Sequence, residues 1–221
     1  MNVLDILITY HVAFLQGLRV TLELCAVIWT SGIILGVLLG VAGAHDPTGW
    51  GRFTRGGSFF FSAIPTLVVL FWLHYPAQAV LNVVIDPFYT ASLTFSLVNI
   101  FGVGEMVRQA VVDFPKQYII AGQVCGLSHR DLVTKIQLPI LFRQLLPGMM
   151  VQQVMMLHMT LFASLISVEE IFRVSQRINS MIYRPVEIYT ALAFFFLLVC
   201  LPINVAAAYL KKRYTRDMSE R

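Results

Sequence analysis

The sequence has 221 residues, of which 57% are hydrophobic and 13% charged, where soluble domains average about 45–50% and about 25%. With a mean hydropathy of +0.74, a soluble fold would leave large apolar patches in water, which monomers rarely do; the composition points to a polytopic membrane protein whose solvent is the lipid bilayer. The 16 Lys+Arg against 12 Asp+Glu give a net charge of +4, but no basic stripe with interleaved aromatics marks a nucleic-acid partner.

In chain order, Val3, Leu4, Leu7 and Ile8 recur at helical spacing, so residues 1–16 are expected to form an interfacial helix rather than a cleavable signal. A span needs about 20 mostly apolar residues. Five such stretches are found at Leu18–Ala44, Phe59–His74, Tyr89–Val107, Pro139–Val168 and Ile188–Leu210. The first carries Gly32, Gly36 and Gly40 on one face, a small-xxx-small pattern that admits another helix backbone to backbone. Arg19 and Glu23, four apart, are placed to pair. The second is interrupted by Pro65, and the third is the most polar, with Ser92, Thr94, Ser96 and Asn99.

Orientation follows from the basic residues. With the N-terminus outside, twelve Lys/Arg lie at inner segments (Arg52, Arg55, Arg108, Lys116, Arg130, Lys135, Arg143, Lys211, Lys212, Arg213, Arg216, Arg221) and four at outer ones (Arg19, Arg173, Arg177, Arg184). The three cysteines and five histidines show no metal-ligand spacing, so no metal site is expected.

The polar stretch from Pro115 to Pro147 is too polar to span and too apolar for a plain linker. Ile119, Ile120, Gln123 and Val124 read as one short helix, and Leu132, Val133 and Ile136 as a second that ends before Pro139. Gly126 lies between them, where a sharp turn favours a residue free to take positive φ. An ordinary amphipathic surface loop is the alternative.

Gly126 followed by Leu138-Pro139 resembles the cytoplasmic EAA loop of bacterial ABC importer permeases. The likeness extends to the polar amino-acid uptake subfamily through Gly17 to Leu24, Pro65-Thr66-Leu67, Glu105-Met106-Val107-Arg108, Leu127-Ser128, Arg143, Pro147 and Glu187-Ile188-Tyr189, and covers about Gly17 to Arg213. It implies an all-α polytopic protein with the type I importer permease fold: five transmembrane helices and a cytoplasmic coupling helix between the third and fourth. In these terms residues 17–213 are the transmembrane domain, about 115–138 the coupling loop and 214–221 a cytoplasmic tail.

The resemblance also implies a division of labour. The chain binds no cofactor itself, and no phosphate-cradling Gly-x-x-x-x-Gly-Lys loop occurs; ATP and Mg belong to a partner ABC ATPase dimer. In the same terms a periplasmic solute-binding protein is expected to deliver an amino acid or similar polar solute and to touch Glu169 to Arg184, for which a plain solvated loop is the alternative. The coupling residues are Ala121, Gly122, Gly126, Leu127, Ser128, Leu138 and Pro139. The sequence departs from the family pattern at three places: Ile120 stands where the loop's acid is usual, Ser62-Ala63-Ile64 precedes Pro65, and His158-Met159-Thr160-Leu161-Phe162 replaces Lys-Asp-Thr-Ser-Leu.

Ionisable and polar groups within spans are costly and therefore functional candidates. Glu105 and Arg108, three apart, are expected to form a structural ion pair, and Asn99, His158, Met159 and Thr160 are candidates for the solute path. Because His158-Met159 offers no fixed acid, the second permease is expected to be a related, non-identical chain; the alternative is a homodimer moving a less charged or aromatic solute held by Phe162 and Met159. The remaining readings are a membrane-embedded enzyme, against which no His-Glu-x-x-His or Gly-x-Ser-x-Gly motif is found, and a scaffold with no ATPase partner.

Overall fold

A computed structural model describes residues 2–219, with side chains through Tyr214. The expected tail, 214–221, lies outside the described side chains apart from Tyr214, and Arg221 lies outside the described residues altogether. The described residues form an all-helical protein. Its elements are α1 (Val3–Thr9), α2 (His11–His45), α3 (Trp50–Ala63), α4 (Thr66–His74), α5 (Pro76–Leu81), α6 (Pro87–Val112), α7 (Lys116–Val124), α8 (His129–Asp131), α9 (Leu138–Met159), α10 (Ile171–Ile182) and α11 (Pro185–Ser219).

Four helical stretches are long and apolar enough to cross a membrane: His11–His45, Pro87–Val112, His129–Ile166 and Pro185–Tyr214. The fifth expected span is the one the structure reshapes. Trp50–Ala63 and Thr66–Leu81 meet at an angle of 94°, because Pro65 supplies no N–H and forces Ile64 into extended backbone. Phe59–His74 therefore straddles a bend rather than forming a straight span. The first span also starts earlier than expected. Its helix begins at His11, so the break from the N-terminal helix falls at Tyr10 and not at 16/17.

The centre of the bundle is the crossing of α2 on α6. Gly32, Gly36 and Gly40 are all buried against α6. A Cβ on Gly36 would lie 2.8 Å from that of Val103, and one on Gly40 would lie 2.5 Å from the Gly104 carbonyl. At Gly32 a Cβ would sit 2.0 Å from Asn99 Nδ2, so the glycine opens the hole that the asparagine fills. Asn99 donates there to the Ile28 carbonyl (3.0 Å) and to Gln153 Oε1 of α9 (2.9 Å), and Trp29 Nε1 donates to the Gln153 carbonyl (3.0 Å). One amide pair thereby fixes the register of three helices in apolar surroundings built from Leu24, Ile28, Leu70 and Phe95.

At the opposite end of the bundle from the 115–138 loop, α1, α10 and α11 meet around Ile6, Val174, Ile178 and Ile188. Gly17 lets α10 sit directly on α2: an added Cβ would lie 2.8 Å from Val174 Cγ2 and 3.0 Å from the Ile171 Cα. The Ile171 N–H donates to Thr21 Oγ1 (3.1 Å). The helix is started by Glu170, a fully buried residue whose carboxyl accepts from the Phe172 and Arg173 N–H groups (both 2.8 Å).

Burial pushes the Glu170 carboxyl up from 4.5 to about 7, outweighing those two hydrogen bonds. The sign follows. The folded state holds this proton where the unfolded chain has lost it, so Glu170's contribution to stability is full below pH 4.5 and is lost as pH rises towards 7. Thermal unfolding of the purified protein is expected at a higher temperature at pH 5 than at pH 8. Glu170→Gln, which does not titrate, is expected to flatten the slope over that interval, while losing one of the two cap hydrogen bonds because its amide nitrogen cannot accept; an unchanged slope would contradict this.

Candidate coupling loop and translocation groove

The 115–138 loop is built by consecutive caps. Helix α7 ends in a Schellman motif: Gly126 takes φ +74°, its N–H donates to the Gln123 carbonyl and the Leu127 N–H donates to the Gly122 carbonyl (both 3.0 Å). Two residues on, Ser128 Oγ accepts from the Asp131 N–H (3.1 Å) and starts α8. Asp131 also pairs with Lys135 (2.6 Å), and that pair, ahead of the Ser128 hydroxyl, holds the Asp131 carboxyl below its ordinary value. Gly122 is buried against Leu132 and Ile136, so the two arms close on each other.

The second arm does not end before Pro139. It passes through a π turn, Leu132–Gln137, straight into α9. Pro139 explains the turn. It has no N–H and its ring clashes with the carbonyl four residues back, and widening to π pairing, with the Leu138 N–H on the Val133 carbonyl, relieves both. The second arm, from His129 on, thus runs into the fourth span without a break in the helix.

Outward from this base α7 presents apolar side chains to solvent. Ile120 is 58% and Val124 82% exposed, and Ala121 and Leu138 are exposed beside them. The inner face of α7 packs Tyr118 and Ile119 on Phe114 and Leu141. An exposed apolar ridge on a well-capped, well-seated helix is the form of a docking element.

The candidates within the spans separate into two groups. Asn99 and Thr160 are fully buried; Asn99 belongs to the helix crossing, and Thr160 Oγ1 donates to its own helix at the Leu157 carbonyl (2.7 Å). Met159 packs against the central core. None of these three is among the residues lining the grooves between α9 and α11. His158 faces the other way. Its Nε2 lies 3.4 Å from Cys200 Sγ of α11 and its ring lies beside Phe196.

His158 opens onto a recess of about 300 Å³ that includes Phe196, Cys200, Leu201 and Asn204. At Asn204 this recess adjoins a larger groove of about 760 Å³ between α9 and α11, lined by Met106, Gln144, Val151, Gln152 and Met155 and by the exposed Arg143 and Lys211. Sequence reasoning missed Gln144, Gln152 and Asn204. The signal was present, since Gln144, Gly148, Val151, Met155 and His158 repeat every three to four residues along one exposed stripe of α9.

Glu105 and Arg108 form a two-point pair, Nε to Oε2 at 2.7 Å and Nη2 to Oε1 at 2.6 Å, and Gln109 Nε2 adds a donor to Glu105 (2.9 Å). Arg108 lies under Gly43 of α2, so the pair neutralises both charges where α2 and α6 pack. Arg19 and Glu23 also pair (2.7 Å) but in an exposed position. On the face of α10, Arg177 reaches Glu169 (2.8 Å), and Met181 and Tyr183 are exposed nearby. No cluster of three metal-ligating side chains is found among the described residues.

Residues 32–216 match the family described as the inner membrane component of binding-protein-dependent transport systems. The chain belongs to this family. It is therefore a multi-pass inner-membrane permease of a transport system and not an enzyme. It is 27% identical over 215 residues to the histidine/lysine/arginine/ornithine transport system permease protein HisQ of Salmonella typhimurium, covering 91% of this chain and 92% of that one. It is 29% identical over 210 residues to the L-cystine permease TcyB of Bacillus subtilis (92% and 87% covered), and 27% identical over 203 residues to the glutamine permease GlnP of Escherichia coli (90% and 91%). The fold is that of a subunit in a crystal structure of an amino acid ABC transporter with histidines, with a TM-score of 0.83 at 19% identity over 96% of this permease and 99% of that chain. A subunit of the MetNI methionine ABC transporter matches with a TM-score of 0.70.

Proposed function

We propose that this permease couples ATP hydrolysis on a separate ABC ATPase dimer to the import of an amino acid or similar small polar solute. The supporting observation is the α7 loop. It combines an exposed apolar ridge at Ile120 and Val124 with a π-turn connection that runs unbroken into α9, the helix that lines the groove. A push on α7 is passed to Gln144, Gln152 and His158 through the capped turn at Gly126 and this continuous helix. ATP and Mg reside on the ATPase, and a periplasmic solute-binding protein delivers the solute to the face formed by α10.

The α9–α11 groove is the inner part of the path in this reading, and its open side is closed by a second permease. That partner is a related, non-identical chain, since His158 and Met159 place no fixed acid where the family pattern has a Lys-Asp pair. A pull-down of the tagged permease is expected to recover an ATPase subunit and a second permease; recovery of neither would overturn the reading. The basic-residue asymmetry sets the N-terminus in the periplasm and the C-terminus in the cytoplasm. A C-terminal alkaline phosphatase fusion is expected to be inactive, and an active fusion would reverse the orientation.

A further inference from the structure

We propose that the α9–α11 groove passes solutes that carry no net positive charge, taking neutral zwitterions and anions and rejecting lysine-like cations. This rests on the reading of the groove as the inner part of the solute path. The charged side chains lining it are Arg143 and Lys211, both exposed. Neither takes part in an ion pair among the described residues.

Among the groove's other polar groups are the neutral amides of Gln144, Gln152 and Asn204, set among apolar and thioether side chains such as Val151 and Met155. Asn204 commits its Nδ2 to the Cys200 carbonyl (3.0 Å), which leaves Oδ1 to accept from a passing ammonium. At the far end His158 is held against Cys200 and Phe196. Among the described lining residues of both parts there is no Asp or Glu.

The chemistry then sorts solutes by charge. An α-carboxylate is met by Arg143 and Lys211, and an α-ammonium by amide oxygens, so a zwitterion finds a partner for each end. A second ammonium on a side chain finds no anion on this wall. An unpaired charge leaving water for apolar surroundings is strongly disfavoured, and this one must also pass the two cations on the lining. Within the spread of solutes named for the relatives, which runs from lysine and arginine to glutamine and cystine, the groove selects the second group.

The test uses the permease purified with its co-purifying subunits in nanodiscs. Saturation-transfer NMR is recorded with leucine, glutamine, glutamate and lysine at matched concentrations. Leucine and glutamine are expected to give clear signals and lysine none above background, since an uncompensated charge is strongly disfavoured in apolar surroundings, and Met155→Glu is expected to raise the lysine signal selectively. Equal lysine and leucine signals, or an unchanged preference in Met155→Glu, would overturn the proposal. A second arm isolates the underlying reading. Val151→Cys, with exposed Cys125 changed to serine, is expected to react with a charged thiol reagent. A reactive cysteine with equal signals overturns the charge preference alone, whereas an unreactive one shows that the groove is not an aqueous path and removes the basis of both.

Discussion

Replacing Gly126 by valine is expected to abolish ATP-driven uptake while leaving the permease at its normal level in the membrane. Gly126 holds φ +74° with no atom within 4 Å of where a Cβ would go, so the effect is purely one of backbone conformation. A β-branched residue resists this region at a cost of about 1–3 kcal/mol. The Schellman pair of hydrogen bonds to Gln123 and Gly122 depends on it. Losing that conformation swings α7 away from Leu132 and Ile136 and uncouples its apolar ridge from α9. Gly126→Asn supplies the control. Asparagine visits left-handed backbone routinely, so it is expected to keep most of the activity. Full uptake with valine would show that the turn does not transmit force.

Gly32→Ala is expected to have a large effect of the other kind, on folding. A single methyl group would lie 2.0 Å from Asn99 Nδ2 and 2.4 Å from its Cγ. Asn99 must then leave its place, breaking its bonds to Ile28 and Gln153. Overpacking of about 1–3 kcal/mol adds to about 1–3 kcal/mol for each buried polar group left unpaired, a large part of a typical stability of 5–15 kcal/mol. The level of folded protein and its thermal unfolding temperature are expected to fall sharply. Gly56, which has nothing within 4 Å of a Cβ position, gives the comparison: Gly56→Ala is expected to stabilise α3 by about 0.5–1 kcal/mol through helix propensity. Similar behaviour of the two variants would mean that the Gly32–Asn99 contact does not organise the bundle.

The spans were legible in the sequence because apolar runs of about 20 residues have few other uses, and the Gly32, Gly36 and Gly40 stripe announced the α2–α6 contact. The bend at Pro65 was legible as a breaker but not as a turn of 94°, since the angle is set by what the two halves pack against. The π turn was missed for a local reason: a proline four residues beyond a carbonyl ordinarily ends a helix, and widening the turn is the less common solution. Asn99 and Thr160 were read as path residues because polar groups within spans are functional candidates. The pairing with Gln153 that makes Asn99 a structural residue joins positions 54 apart, and no local pattern signals such a partner. Of the groove residues, Gln144 lies on a repeat legible along α9, whereas Gln152 and Asn204 became visible only when α9 faced α11. The likeness to solved transporters shows the fold, whereas the direction of coupling rests on the geometry of α7.

The central claim is that this chain moves solute only when a partner hydrolyses ATP. It is tested by uptake of a labelled neutral amino acid into proteoliposomes that hold the permease with its co-purifying subunits, with binding protein outside and ATP and Mg inside. Accumulation that requires ATP and disappears in Gly126→Val is the expected result; accumulation that proceeds equally without ATP would contradict the account.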